Sequence, residues 1–382
     1  MLYRPYGSTG KQVSAIGFGA MRFPDQNNVE ACANLVKTAY DAGINYFDTA
    51  IGYGKSEELC GVAFAEMQKT RSQKPFYVAT KTFAGTESDV RRELETSLTR
   101  MKLPYIDFYH VWCVLSQNAW KDRKAAGVLK AFEKMKSEGL IKHICVSSHM
   151  SGSEIGSVLE EYPFDGVLLG YSAMNFAFRE AALAAAAKLN RAVVAMNPLG
   201  GGVIPQFPDR FAFVKTRPEE TVVEGALRFL LNDPRITVSL VGFSTVEHIR
   251  EAIRAVDGFK PLPADKLAGI RASLKEAFNE LCTGCQYCDE CPQGIPVPKF
   301  MDAYNQYMLQ GKPKELVDRL NWHWGIKPET DYLQKCTECG QCETACTQHL
   351  PIIKRLKEIR AELEKAAAAA AAAKAAEAAK PA

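Results

Sequence analysis

Eight short apolar or β-branched runs recur between residues 15 and 242, each followed by a polar loop and then a longer stretch with helical spacing. They read "AIGFG" (15–19), "INYFDT" (44–49), "FYVATK" (76–81), "IDFYHVW" (106–112), "HICVSS" (143–148), "DGVLLGY" (165–171), "AVVAMN" (192–197) and "ITVSLVG" (236–242). Strand alternating with helix is the rhythm of a parallel sheet. Eight βα units in about 250 residues predict an α/β fold, a (β/α)8 TIM barrel. A doubly wound open sheet is the rival, but no GxGxxG follows a first strand, so that fold's dinucleotide fingerprint is missing. Between the strands, "SDVRRELETSLTRM" predicts a helix with Ser88 as N-cap, and "AAGVLKAFEKMKSEG" predicts one that Gly139 closes.

The barrel spans 1–262. Beyond it the texture changes to helices and cysteine loops, giving a small helical domain over 263–360 and an Ala-rich tail over 361–382. The tail combines the best helix former with a few charges, so it forms a solvated helix or frays. Of twelve cysteines, Cys32, Cys60, Cys113 and Cys145 are scattered, as small core residues are, and eight are clustered. The first cluster, "CTGCQYCDECP", holds Cys282, Cys285, Cys288 and Cys291; the second, "CTECGQCETAC", holds Cys336, Cys339, Cys342 and Cys346.

Three cysteines at CxxCxxC spacing grip one iron–sulfur cubane, and in two-cluster ferredoxins the fourth ligand comes from the other motif. One 4Fe-4S cluster is then expected on Cys282, Cys285, Cys288 and Cys346, and a second on Cys336, Cys339, Cys342 and Cys291. Structural zinc is the alternative, but zinc uses two CxxC pairs per metal and leaves the third cysteine of each motif unexplained. "VPKFMDAYNQYMLQ" and "PKELVDRLNWHW" between the motifs have helical spacing, which predicts a helical ferredoxin-like module rather than a compact β-hairpin one.

A formal charge of +3 with well-mixed Lys, Arg, Asp and Glu argues against nucleic acid as a partner. No apolar run reaches the roughly 18 residues of a membrane span, and "MLYRPYGSTG" lacks the apolar core of a secretory signal, so a cytoplasmic location is expected.

In (β/α)8 barrels the chemistry sits where strands end. Here the second strand runs into "FDTAIGYGKSEELCG" and the third ends "VATKT"; "YRPYGSTGKQVSAIGFGAMRFP" opens the chain, and "MNPLGGG" and "VGFSTVEHIREAI" follow. Through these stretches the chain resembles the aldo-keto reductase superfamily over residues 1–255. With its two cysteine motifs it resembles the ferredoxin-containing branch. The resemblance implies an oxidoreductase that reduces a small-molecule carbonyl, or conjugated carbonyl, with NADPH or NADH.

On that resemblance Tyr53 is the proton donor, Lys81 the cation beside it and Asp48 the carboxylate paired with Lys81. The cation is needed because a phenol with an unperturbed pKa near ~10 is a poor acid at neutral pH. The resemblance places cofactor contacts at Gly19, Met21, Ser147, Pro198, Leu199, Gly200, Ser244 and His248, with "NPLGGG" (197–202) offering backbone amides to the pyrophosphate. The chain departs from the family pattern at Ser148 (commonly Asn), Leu168 (commonly Gln), Ala252 (commonly Asn) and Ser244, where a Lys or Arg usually grips the 2′-phosphate. His248 and Arg250 are the nearby cations.

The family's histidine on the fourth strand falls at position 112, where this chain has Trp112. His110 lies two residues earlier, on the same inward face but about 6.6 Å deeper. It is a candidate catalytic group, with a hydrogen-bonded core histidine as the alternative. No flavin motif joins one-electron clusters to a two-electron hydride. The clusters are therefore either structural or fed by an external ferredoxin or another redox protein. Two other readings stay open: a ferredoxin-linked electron-transfer oxidoreductase without hydride transfer, and a non-catalytic barrel that binds a ligand.

Overall fold

An antiparallel hairpin, β1 (Tyr3–Pro5) and β2 (Gln12–Ser14), opens the computed structural model, which describes residues 1–382 apart from 175, 278–279, 283, 328–331 and 379–382. The chain divides into two compact units, Met1–Ala277 and Phe278–Ala382. In the first, eight strands close a parallel barrel: β3 (Ile16–Gly19), β4 (Tyr46–Asp48), β5 (Tyr77–Thr82), β6 (Ile106–Val114), β7 (Ile141–Ser148), β8 (Gly166–Gly170), β9 (Ala192–Met196) and β10 (Val238–Gly242). β10 pairs with both β9 and β3, which completes the ring. All eight expected strands are present, with ends shifted by at most two residues.

Tyr46, Ala79, Phe108, Cys145, Leu168, Ala192, Val194 and Val238 form the inner core, joined by Tyr6 from the hairpin. The Tyr6 ring stacks on Phe108 at 3.9 Å between centroids, and its hydroxyl lies 3.5 Å from Cys145 Sγ. Gly166 makes room for it, since a β-carbon there would sit 2.5 Å from the Tyr6 oxygen. Burying an aromatic ring of this size contributes about 1.5–3 kcal/mol. Side chains alternate along a strand. The faces that carry Tyr46, Ala79 and Phe108 inward therefore carry Asp48, Lys81 and His110 inward one layer higher.

The helix Glu87–Met101 corrects one expectation. Its N-cap is Thr86, whose hydroxyl accepts the Asp89 N–H, while Ser88 is already inside the first turn. Only Thr86 has the extended backbone (ψ 156°) that a capping residue needs. The helix Val128–Ser137 does close at Gly139, which has φ +81° and is followed by a Leu140 N–H bond to Met135 O.

β6 is irregular where it matters. Val111 pairs with Val146 and Val114 with Ser148, so three residue steps on β6 face two on β7. Cys113 takes the strain of this bulge with φ +56°, a conformation costing a residue with a β-carbon about 1–2 kcal/mol. The bulge is tied down by the Ser148 hydroxyl and the His149 N–H, both donating to Val114 O.

In the second unit the described elements are all helical, chiefly Val297–Gln310, Pro313–Asp318 running into a π-turn at Arg319–His323, and Ile352–Ala378. Pro298 in the first turn and Gly311 at φ +68° delimit the first of these. Ile295, Phe300, Met301, Leu316, Leu320, Ile352, Leu356 and Ile359 form a core around which the clustered cysteines are set. The change of texture at 263 predicts a second domain from there, and the helix Ala264–Ala277 belongs instead to the first unit. Residues 361–378 of the Ala-rich tail continue the last helix, and 379–382 lie outside the described residues.

Candidate active site

Asp48 and Lys81 leave adjacent strands as a sealed pair. Lys81 Nζ donates to Asp48 Oδ1 at 2.6 Å and to Thr49 O at 2.8 Å, and both side chains are nearly inaccessible. Burial raises the Asp48 pKa and lowers that of Lys81, and the contact between them opposes both shifts. The Lys81 ammonium lies 5.2 Å from the centre of the Tyr53 ring. Burial holds the Tyr53 phenol well above its ordinary value, with Asp48 and then Cys113 adding to the effect. The phenol is therefore protonated at neutral pH, and Lys81 is the cation that lies against its ring.

His110 sits beside Lys81 in the sheet register and is wholly buried. Its Nδ1 lies 3.4 Å from Thr80 O, and its Nε2 has no partner among the described residues. Burial and then the Lys81 charge push its pKa down to about 3. An unfolded histidine titrates near ~6.5, so between there and pH 3 the unfolded chain binds a proton that the folded chain refuses. Stability is then lost as pH falls through that window, by roughly 1–2 kcal/mol per pH unit. Urea unfolding at pH 7 and pH 5 should show His110→Gln losing less stability than the parent protein; equal losses would contradict a buried neutral imidazole.

Trp112, at the bulge, meets Tyr53 edge-on with ring centres 5.5 Å apart. The indole occupies the mouth directly beside the phenol.

Further round the mouth, a cavity of about 360 Å³ is lined by Asn197, Pro198, Leu199, Gly201 and Gly202 on one side and by Arg22, Ser244, His248 and Glu251 on the other. Asn197, Gly200, Gly201 and Gly202 all have left-handed backbone, a tight turn in which the Gly200 and Gly202 N–H groups donate to Asn197 O and Leu199 O. Gly200 itself packs on Met174, whose Sδ would lie 2.2 Å from a β-carbon there. The Ser244 N–H donates to His248 Nδ1 at 3.4 Å, leaving Nε2 as the donating nitrogen. Of the expected cofactor residues, Pro198, Leu199, Ser244 and His248 thus share one cavity. Gly19 ends β3 beside Gly242, Ser147 is buried on β7, and Met21 is exposed.

Two of the departures, and one of the nearby cations, have structural consequences. The Ser148 hydroxyl is engaged with Val114 O and Met150 N–H, Leu168 fills the inner core, and Arg250 pairs with Glu247 at 3.5 Å outside the cavity. Arg22 was missed by sequence reasoning. Its signal was a cation three residues past the first strand, where barrel loops carry function.

In the second unit the two cysteine motifs have left-handed residues at matching places. Gly284 and Gln286 in the first, and Glu338 and Gly340 at the corresponding places in the second, are all left-handed. Burial raises the Cys288 thiol and nearby thiolates at Cys282, Cys285 and Cys346 act in the same direction, which groups these four. Cys291, Cys336, Cys339 and Cys342 surround a second, small cavity walled by Pro292, Ile295, Val297, Ile353 and Leu356. Cysteine sulfur is the donor type that suits iron–sulfur cubanes, and each of these two groups draws three cysteines from one motif and one from the other.

Residues 15–275 match the family model "Aldo/keto reductase family". The chain belongs to that family. Residues 281–352 match the model "4Fe-4S dicluster domain", so this aldo/keto reductase is an oxidoreductase carrying an iron–sulfur module. Among curated relatives, L-galactose dehydrogenase of Arabidopsis thaliana is 27% identical over 309 residues, covering 72% of this chain and 95% of its own. The uncharacterised oxidoreductase YqkF of Bacillus subtilis is 24% identical over 315 residues, covering 72% and 97%. Among solved structures, the holo form of aldo-keto reductase AKR11C1 from Bacillus halodurans superposes with a TM-score of 0.63 at 22% identity, over 73% of this chain and 98% of that one. That likeness concerns the fold. Among the described residues no helix is long and apolar enough to cross a membrane.

Proposed function

We propose that this aldo/keto reductase reduces a small carbonyl or conjugated carbonyl compound at the expense of NADPH or NADH. The observation that carries the reading is the buried Asp48–Lys81 pair with its ammonium 5.2 Å from the Tyr53 ring. The left-handed glycine turn, Arg22 and the His248 Nε2–H fit a dinucleotide, since a tight glycine turn, one guanidinium and one ring N–H line the same cavity. A reduced nicotinamide held there would supply a hydride, two electrons with one hydrogen, for the carbonyl carbon. Tyr53 gives its phenolic proton to the carbonyl oxygen, the alcohol leaves, and solvent returns the proton to the phenolate. Lys81 holds the transient negative charge, and Asp48 keeps Lys81 charged and aimed. The relative named for L-galactose oxidation supports hydride chemistry on this barrel.

We assign one 4Fe-4S cluster to Cys282, Cys285, Cys288 and Cys346 and the other to Cys291, Cys336, Cys339 and Cys342. Cys339 is exposed, which gives the second set an edge that an external ferredoxin or similar one-electron partner can approach. Eight thiolates kept for ligation fit a reducing, cytoplasmic setting.

Anaerobic oxidation of NADPH and NADH against a panel of aldehydes, ketones and enones tests the reading; a chain that binds neither dinucleotide would sink it. Titration of dinucleotide into the Arg22→Ala protein should raise the NADPH Kd roughly tenfold and the NADH Kd less. Equal changes would remove Arg22 from the 2′-phosphate.

A further inference from the structure

The rim around Trp112 carries features that neither proton donation nor dinucleotide binding uses. Phe83, the first residue past β5, stacks on the indole with centroids 3.9 Å apart and planes at 19°, yet half of it stays exposed. The indole's far edge lies against backbone, since a β-carbon on Gly52 would sit 2.9 Å from it. The helix Gln117–Ala125 closes on the same loop, with Ala126 3.3 Å from where a β-carbon of Gly85 would be. From that helix Arg123 reaches back, donating to Trp112 O and lying 5.8 Å from the centre of Phe83. Among the described residues no carboxylate forms an ion pair with it, and burial lowers its pKa from the ordinary value.

A half-buried guanidinium without an anion is a poorly solvated charge, and a carboxylate is the planar partner its fork fits. An exposed aromatic plane backed by a second ring is a surface for stacking. We propose that this rim selects carbonyl compounds with an aromatic or conjugated planar body and a carboxylate, the body lying on Phe83 and the carboxylate pairing with Arg123. Which end reacts rests on the carbonyl-reductase reading; the selectivity itself does not.

Calorimetric titration of the full-length protein with 4-formylbenzoate against benzaldehyde, and with 4-carboxycinnamaldehyde against cinnamaldehyde, tests this. The carboxylated member of each pair should bind roughly tenfold tighter or more. Arg123→Leu should bring that ratio close to one, Arg123→Lys should keep part of it, and Phe83→Leu should weaken both members alike. Equal affinities in the parent protein overturn the proposal, as does a ratio that survives Arg123→Leu. If Arg123→Leu does not fold, the parent ratio and Arg123→Lys decide. A parent preference for the carboxylate without any consumption of NADPH or NADH upholds the rim's selectivity and removes the reductase reading instead.

Discussion

The Tyr53→Phe protein should lose carbonyl reduction by a factor of about 10³ in kcat/KM while binding dinucleotide as the parent does, because a positioned general acid contributes 10²–10⁴. Phenylalanine keeps the ring that meets Trp112 edge-on and that lies 5.2 Å from the Lys81 ammonium. Only the hydroxyl is removed, so packing stays almost unchanged and the loss reports chemistry. Lys81→Met would be a poorer test. It leaves Asp48 buried without its partner, and breaking such a pair typically costs 3–5 kcal/mol of stability. Turnover by Tyr53→Phe within tenfold of the parent would take the proton donor away from Tyr53.

Replacing Cys346 by Ser should halve the metal content, from about eight irons and eight sulfides per chain to about four of each. The decisive reading is which cluster survives. If Cys346 completes the set of Cys282, Cys285 and Cys288, then Cys346→Ser and Cys285→Ser leave the same paramagnetic signal after dithionite reduction, and Cys339→Ser leaves a different one. A Cys346→Ser signal matching that of Cys339→Ser would put all four ligands of each cluster within its own motif. Stoichiometric zinc with no sulfide would end the iron–sulfur assignment. Cys346 is buried in the helical core, so its loss should also lower the melting temperature of the second unit.

Much of this was legible because the responsible signals are local. Strand ends such as "FDT" and "VATK" put Asp48 and Lys81 two residues beyond inward-facing Tyr46 and Ala79, so alternation alone aims them at the axis. Cysteine spacing encodes the cluster loops almost without reference to the rest of the chain. Arg22 was not legible in the same way, since its cavity is assembled from loops after β3, β9 and β10. The helix cap was misread because Thr86 and Ser88 both have capping side chains, and only the backbone conformation distinguishes them. The bulge left no mark at all. Cys113 adopts a left-handed conformation that a sequence usually announces with glycine or asparagine, and here the surrounding hydrogen bonds impose it.

That bulge also decides how this mouth could be converted into another. Every position of β6 beyond Val111 is displaced by one relative to a flat pairing with β7. A substitution changes a side chain and leaves the count as it was; only removal of one residue restores it. Position 112 already meets Tyr53, so the point change Trp112→His brings an imidazole beside the phenol, whereas deleting one residue of the bulge would shift every later position of β6.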